Sequence, residues 1–393
     1  MEKKKLKEAA ETFGTPLYVF QTEELEENEE KIRAALKGRA DLCFAMKANP
    51  FLVAKMAEIT ERIEVCSMGE FRICRALGID PARLFISGVL KKEEDLMEIL
   101  AHCEDRCVYT VESVSQYEAL EKLSREQRKT LRLYLRLTSQ NQFGMDEDTV
   151  RNLILEQAGH PYVHIAGIHF FSGTQKRSIR KVEKELAYLD GFLTELERSL
   201  GFKVEELEYG PGTMFPYFMD QMDTREEDME RIAHLLAGMQ WKGKVTLEMG
   251  RAFAASCGYY LTRVRDVKRT GDRQYGIVDG GIHQIHYDGQ IKGMYCPSVE
   301  VLKEKAGEET DWTICGSLCT VNDVLVQKLK CCLLEPGDVL AFRNTGAYAV
   351  TEGMSLFLSH ELPGVVLYSD RNGWRQVRTE QQTYEWNMRK EIY

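Results

Sequence analysis

Several features are scarce in this chain of 393 residues, and each scarcity closes off a class of protein. Only 9 prolines occur, and there is no low-complexity tract or short repeat, which excludes collagen-like, linker-rich and repeat-built architectures. No stretch reaches the roughly 18 consecutive apolar residues of a membrane-spanning helix. The N-terminal Met1-Glu-Lys-Lys-Lys-Leu-Lys-Glu carries charge with no apolar run behind it, so neither a membrane span nor a secretory leader is expected, and the cytoplasm is the expected location. Positive charge is in deficit: 52 Lys+Arg against 62 Asp+Glu give a net charge of −10, with no Lys/Arg cluster after Lys3-Lys4-Lys5. A nucleic-acid partner is therefore not expected, while a local basic site for one phosphate stays open. The 11 cysteines show no repeated spacing, and the adjacent Cys331-Cys332 and lone Cys43 suit neither a disulfide framework nor a zinc site. Reduced, mostly buried thiols and no metal site are expected.

What remains is an ordinary globular composition, 44% hydrophobic and 29% charged, in a chain long enough for two domains. From about residue 40 to 250, short apolar runs alternate with charged amphipathic stretches. The runs are Leu42–Met46, Ile63–Cys66, Leu84–Ser87, Cys107–Val111, Leu131–Leu137, His164–Phe170, Glu206–Tyr209 and Val245–Glu248. Between them, stretches such as Leu52–Glu61 and Ile179–Leu200 carry apolar residues three and four apart, as covering helices do. Eight βα units in about 210 residues match a (β/α)8 barrel, an α/β fold whose active site lies at the carboxyl ends of the strands. After residue 255 helical periodicity fades into short strand-like runs separated by turns such as Asp279-Gly-Gly281 and Glu335-Pro-Gly-Asp338, the texture of an antiparallel β domain. The early run Leu17-Tyr-Val-Phe20 is a candidate strand of that domain, which divides the chain into a barrel over 25–257 and a β domain over 1–24 and 258–393.

Chemistry collects at the ends of the barrel strands. The first ends in Phe44-Ala-Met-Lys47-Ala-Asn-Pro50. Lys47 is open to two readings: an ammonium that snorkels to water along its own stem, or an amine desolvated enough to attack an aldehyde. The seventh ends in Glu208-Tyr-Gly210-Pro-Gly212-Thr213 and the eighth in Glu248-Met-Gly250-Arg251. Glycines there let backbone N–H groups approach an anion, and Arg251 adds charge to the same site; each glycine pair alone also reads as a plain turn. Glu248 is either a salt-bridge partner of Arg251 or a counter-ion for a cationic ring nitrogen. Together, a lysine anchor, a phosphate cradle and an acidic partner are the parts that pyridoxal phosphate requires.

These residues lie in motifs that resemble the fold-type III pyridoxal-phosphate decarboxylases, the group of diaminopimelate, ornithine and arginine decarboxylases related to alanine racemase. Phe44-Ala-Met-Lys47-Ala-Asn matches the cofactor-lysine motif, and Glu64-Val-Cys-Ser67-Met-Gly-Glu70 the second-strand motif. Asn141-Gln-Phe-Gly144 resembles the fifth-strand loop, and Gly167-Ile-His169-Phe-Phe171-Ser-Gly173-Thr174-Gln175 the sixth-strand motif. Glu248-Met-Gly-Arg251 stands for Glu-Pro-Gly-Arg, and Cys315-Gly-Ser-Leu-Cys319-Thr-Val-Asn-Asp323 and Gly346-Ala-Tyr348 complete the set over about residues 15 to 370.

The resemblance implies an alanine racemase-like barrel with a second β domain, and a carboxy-lyase that removes the α-carboxylate of an amino acid or aminoacyl substrate to leave an amine. It implies that Lys47 holds pyridoxal 5′-phosphate as an aldimine, that Glu248 pairs with the ring nitrogen and that Phe171 packs on the ring. Thr174, Gly210, Gly212, Gly250, Arg251 and Tyr348 would hold the phosphate. Cys319 and Asp323 would reach the barrel mouth of a partner in a homodimer with shared sites, with Cys319 as proton donor; without the resemblance Cys319 reads as a buried thiol.

Departures from the family pattern bear on the substrate. Phe171 replaces a histidine that stacks on the cofactor, and Pro211 removes one N–H from the phosphate loop. Thr320 stands where relatives carry a carboxylate for a distal amine, and the segment Ile282-His-Gln-Ile-His286-Tyr-Asp-Gly289 lacks the arginine that binds a distal carboxylate. Neither diaminopimelate nor a free dibasic amino acid is favoured by such a pocket. The Phe-Ser-Gly-Thr-Gln and Leu-Cys-Thr segments look closer to the branch that acts on carrier-protein-bound aminoacyl groups. The alternatives are a free amino acid, or a dibasic one held by another acid such as Glu352, or a non-catalytic cofactor-binding relative. Glu352 reads equally as an exposed turn carboxylate, and His283 and His286 as structural or solvated side chains rather than pocket residues.

Overall fold

The computed structural model of the chain describes residues 1–303 and 308–389, and two compact units account for it. One comprises Asn28–Phe215 and Thr224–Ala252; the other comprises Met1–Glu27, Pro216–Asp223 and Phe253–Tyr393. The short segment Pro216–Asp223, expected within the barrel, thus groups with the β unit.

In the first unit eight parallel strands close into a barrel: Asp41–Ala45, Arg62–Val65, Leu84–Ile86, Val108–Val111, Leu131–Arg136, Val163–Phe171, Glu206–Gly210 and Lys244–Met249. Each lies within a residue or two of an apolar run identified in the sequence. Closure comes from Asp41↔Thr246 through Phe44↔Met249, pairing the first strand with the last. The covering helices form for local reasons. Ile179–Leu200 buries Val182, Leu186, Leu189, Phe192, Leu193 and Leu196, three and four residues apart, starts on a Ser178 cap and stops at left-handed Gly201. Met68–Ala76 starts on a reciprocal cap: Ser67 Oγ accepts from Glu70 N–H, and the Glu70 carboxylate accepts from Cys66 N–H. That cap fixes the carboxyl end of the second strand, where chemistry is expected.

The barrel interior is polar in its lower half. Arg62 donates to Glu206 and Glu208, while Tyr134 Oη and Thr246 Oγ1 also donate to Glu206. Phe85 packs edge-on to Tyr134 and to His169, forming an apolar floor between this network and the mouth. Burial opposes the charge on Arg62, but Glu208, Tyr134 and Glu206 outweigh it and hold the guanidinium charged.

The β unit contains one nine-stranded sheet among its described residues. Its main order is Val324–Cys331, Thr310–Cys315, Arg273–Val278, Gly258–Thr270, Leu17–Gln21, Gly364–Ser369 and Gly373–Arg378. Val339–Arg343 pairs with Gly258–Thr270 and with Val299–Val301, a short strand not apparent in the sequence. The N-terminal strand Leu17–Gln21 lies inside this sheet, antiparallel to Gly258–Leu261 and parallel to Gly364–Tyr368. Arg273–Val278 and Thr310–Cys315 are also parallel, so the sheet is mostly rather than wholly antiparallel. The lysine-rich start forms a helix, Lys3–Phe13, that buries Leu6, Ala9 and Ala10 against Leu17, Val19, Tyr259 and Leu261.

Most of the cysteines are free, and one pair is not. Cys103, closing the helix Glu93–Cys103, is disulfide-bonded to Cys107; nine other cysteines are free. A four-residue separation brings the two sulfurs together where that helix turns back toward the strand at Val108.

Candidate functional site

Lys47 follows the first barrel strand in a single 3-10 turn, Met46–Ala48, closed by Asn49 N–H onto Met46 O. Fully buried Asn49 then accepts Phe51 N–H on its own side chain, which fixes the exit of the chain after Pro50. The lysine is thereby held at the barrel mouth. Its Nζ donates to Glu64 Oε2 at 2.6 Å and to Glu248 Oε1 at 3.5 Å, and lies 3.7 Å from Cys66 Sγ and 5.9 Å from the centre of the Phe171 ring. Both carboxylates are almost wholly buried, at 2% and 4% side-chain exposure, against 35% for Lys47. A cation between two buried acids is anchored, not snorkelling.

Each acid is held from behind. Glu64 Oε1 accepts from Ser87 Oγ at 2.6 Å and from Cys66 Sγ at 3.2 Å. Burial, reinforced by Glu64, pushes the Cys66 thiol well up, so it stays protonated and donates. Glu248 Oε2 lies 3.1 Å from His169 Nε2. Burial, with Arg136 nearby, lowers His169 to about 3. The imidazole is therefore neutral, and its one N–H is assigned to Nε2, donating to Glu248. Arg136 in turn donates to Glu112, whose other oxygen accepts Gly144 N–H and so shapes the fifth-strand loop. Glu248 pairs with Lys47 and His169, which orients it toward the lysine at the mouth.

The glycines form a close-packed cradle. A Cβ at Gly212, where φ is +59°, would meet Gly173 O at 2.0 Å, and one at Gly210 would meet the Phe171 ring at 2.5 Å. A Cβ at Gly250 would meet Ala48 Cβ at 2.6 Å, in the turn that carries Lys47. Lys176 N–H closes the loop by donating to Gly212 O at 2.9 Å. Backbone this close leaves room for main-chain N–H groups and a small anion, not for side chains.

A lysine amine flanked by acids, a ring-facing aromatic and a glycine cradle fit an aldehyde-bearing, phosphorylated aromatic cofactor. Comparison with known families decides which one: the model of the pyridoxal-dependent decarboxylase, pyridoxal binding domain, matches residues 22–255. The chain belongs to the pyridoxal-dependent decarboxylases. Diaminopimelate decarboxylase of Methanocaldococcus jannaschii is 27% identical to this decarboxylase, over 98% of this chain and 93% of that one. The L-glutamyl-[BtrI acyl-carrier protein] decarboxylase of Niallia circulans is 25% identical, over 92% and 90%. The crystal structure of the M. jannaschii diaminopimelate decarboxylase with L-lysine shares the fold, with a TM-score of 0.86 and 24% identity, over 98% of this chain and 94% of that one.

The decarboxylase carries its remaining candidate residues in the β unit. The hairpin between Thr310–Cys315 and Val324–Cys331 ends in the loop Gly316–Asp323. Cys319 is exposed on it, not the buried thiol of the alternative reading, and Thr320 is half-buried beside it. Asp323 needs correction: it is 3% exposed, and its two oxygens accept Ile282 N–H at 2.9 Å and Leu318 N–H at 2.8 Å. Instead of offering a free carboxylate, it clasps the loop that presents Cys319. His286 and Glu352 do come together, Nε2 to Oε2 at 3.8 Å. His283 is buried, ring to ring with His360 at 4.9 Å, and burial lowers it to about 4. Tyr348 sits at φ +66°, and its carbonyl accepts Thr351 and Glu352 N–H, forming a tight turn. Thr174 and Arg251 belong to the barrel unit with Lys47, while Tyr348 belongs to the β unit.

Sequence reasoning quoted Glu64, Cys66 and His169 within motifs but gave them no role. The available signal was the one that singled out Lys47: a charged or polar residue at the end of an apolar barrel strand. His169 and Phe171 are also two residues apart on one strand, hence on one face.

Proposed function

We propose that this decarboxylase removes the α-carboxylate of an amino-acid or aminoacyl substrate whose distal end carries no free amine, and that Cys319 returns the proton. Its fit to the cofactor rests chiefly on Lys47 set between Glu64 and Glu248 with neutral His169 behind. When bound, pyridoxal phosphate supplies the aldehyde that takes up the substrate amine and the ring that accepts the electrons left by departing CO2.

The chain's own residues do the rest. Lys47 would anchor the aldehyde, and its amine returns to the Glu64 carboxylate, already its partner at 2.6 Å, when substrate displaces it. Glu248 would face the ring nitrogen. Its negative charge there favours a protonated ring, and the N–H of His169 steadies that charge without competing for it, because the imidazole stays neutral through the physiological range. Phe171 would pack on the ring face, and Gly210, Gly212, Gly250, Thr174, Arg251 and Tyr348 would hold the phosphate. Cys319, exposed on a loop that Asp323 makes rigid, would deliver its thiol proton to the substrate α-carbon within a homodimer of shared sites.

Substrate class follows from Thr320, a neutral side chain beside Cys319, and from the absence of arginine in Ile282–Gly289. A carrier-bound aminoacyl group is the favoured substrate, in line with the acyl-carrier-protein decarboxylase of N. circulans. Nine free cysteines support a cytoplasmic location in this reading, and among the described residues no helix is long and apolar enough to cross a membrane. The test is CO2 release from a panel of free amino acids and their carrier-bound thioesters. Release from a carrier-bound member in preference to lysine, ornithine and diaminopimelate is expected; preferential turnover of a free dibasic amino acid would overturn the proposal.

A further inference from the structure

Beside Cys319 and Thr320, the β unit has a groove of about 990 Å³ on the sheet formed by Gly258–Thr270, Arg273–Val278, Thr310–Cys315 and Val324–Cys331. That is the upper end of volumes typical of ligand sites, more than the α-amino-acid portion of a substrate requires. The register sets Tyr275 beside Thr313 and Ile277 beside Cys315, and the loop residues Leu318, Thr320 and Val321 line the same groove.

Its charges are not balanced in kind. Asp311 is paired with Lys328 at 3.1 Å, Asp272 lies 3.8 Å from Arg269, and Asp323 is committed to two backbone N–H groups. Lys268, Arg273 and Lys292 also line the groove, and none of the three has an ion-pair partner among the described residues. The lining holds four cations, Lys268, Arg273, Lys292 and Lys328, against the three acids Asp272, Asp311 and Asp323, a local surplus of positive charge in a chain whose net charge is −10. Lone surface lysines are ordinarily just solvated. Here they line the same groove as Thr320, the position where the family pattern has an acid for a distal amine.

We propose that this groove binds a negatively charged distal extension of the substrate, a phosphodiester or a carboxylate, through Lys268 and Arg273 with Lys292 at its edge. The inference rests on the decarboxylase reading and deepens it: the absent acid and the cations that line the groove together favour an anionic group over an amine. Opposite charge at exposed separations confers selection more than tight binding, so the effect is expected to depend on salt.

The experiment is calorimetric titration of the holoenzyme with two probes, free phosphopantetheine for the phosphodiester and citrate for the carboxylate. Wild type is expected to bind one of them, more weakly as salt rises. Lys268→Gln/Arg273→Gln should weaken that binding about tenfold, and Lys268→Glu/Arg273→Glu should abolish it. The Gln pair keeps the side-chain bulk, and retained cofactor absorbance establishes that either variant is folded. No binding of either probe to wild type, or equal binding by wild type and both variants, overturns the proposal. So does loss of binding only in variants that have also changed oligomeric state by gel filtration, which would make the groove a subunit contact. Wild type that releases CO2 yet binds neither probe removes this inference alone, whereas protein that takes up no cofactor removes the reading beneath it.

Discussion

The barrel unit and the β unit hold their candidate residues in opposite ways. Around the lysine at the barrel mouth the groups are buried or braced: Lys47 between Glu64 and Glu248, Glu248 on His169, Glu64 on Ser87 and Cys66, while Thr174 on the following loop is exposed. In the β unit Cys319 is exposed with no hydrogen-bond partner among the described residues, and the His286 and Glu352 side chains are 41% and 46% exposed. Asp323 is buried there and serves the loop, and His283 is buried against His360. The barrel is organised in advance for electrostatic work, which depends on fixed dipoles in a dry site. The β unit presents reactive groups on a surface, where they act on whatever is brought to them. Damage to the two units should therefore differ in kind as well as in size.

The largest effect is expected at the anchor. Lys47→Ala should lower CO2 release by about 10³-fold or more, since among the described residues no other lysine pairs with Glu64 or Glu248. Borohydride treatment of wild type should fix the cofactor on Lys47, located by peptide mass; a label elsewhere would break the assignment. Next comes the braced acid: Glu248→Gln should cost about 10²–10³-fold in turnover while cofactor still binds. Replacing His169 by Gln, which can still donate one hydrogen bond, should cost much less than Glu248→Gln, and comparable losses would mean that the imidazole does more than position Glu248.

How much of this was legible in the sequence differs between the units for the same physical reason. All eight barrel strands stand out because each is a short, mostly apolar run between amphipathic stretches, and Lys47 and Glu248 stand out because they are charges at the catalytic ends of those runs. The polar lower interior did not. Arg62, Glu206 and Glu208 alternate with apolar neighbours exactly as solvent-facing residues do, and only ring closure reveals that they point at one another. Helix Lys3–Phe13 was hidden because four lysines mask an apolar stripe of just Leu6, Ala9 and Ala10. The Cys103–Cys107 pair was missed because a four-residue spacing carries no signal until a helix end folds back. Asp323 looked like a functional acid because a carboxylate clasping a loop and one facing a substrate have the same letter.

In the β unit, Cys319→Ala should reduce amine formation about tenfold to a hundredfold, less than a lost barrel acid, because the Lys47 amine is an alternative donor. Part of the remaining turnover is expected to end in transamination, read as ketone or aldehyde product, with cofactor binding and melting temperature unchanged since the side chain is exposed. Turnover equal to wild type, with no diverted product, would remove the proton-donor role and leave the barrel as the whole of the chemistry.

The smallest effect tests whether advance organisation in the barrel carries a cost. Glu208 is fully buried and accepts from Arg62 on Oε2, while among the described residues its Oε1 has only the weak thiol donor Cys43 near it. Burial, against the pull of Arg62 and with Glu248 and Glu206 nearby, pushes its carboxyl from 4.5 up to about 8. Between those two values the folded chain keeps a proton that the unfolded chain has released, so stability falls as pH rises from about 4.5 to about 8 and is level above that window. Glutamine mimics the protonated acid. Glu208→Gln should therefore leave stability at pH 5 nearly unchanged and raise it at pH 9 by up to a few kcal/mol, at about 1.4 kcal/mol per unit of pKa displacement. Denaturant midpoints across pH 5–9 check this: the variant's curve should lose the downward slope of wild type. Parallel curves would mean that Arg62 keeps Glu208 ionised, and that the lower barrel is a balanced ion network without a stored cost.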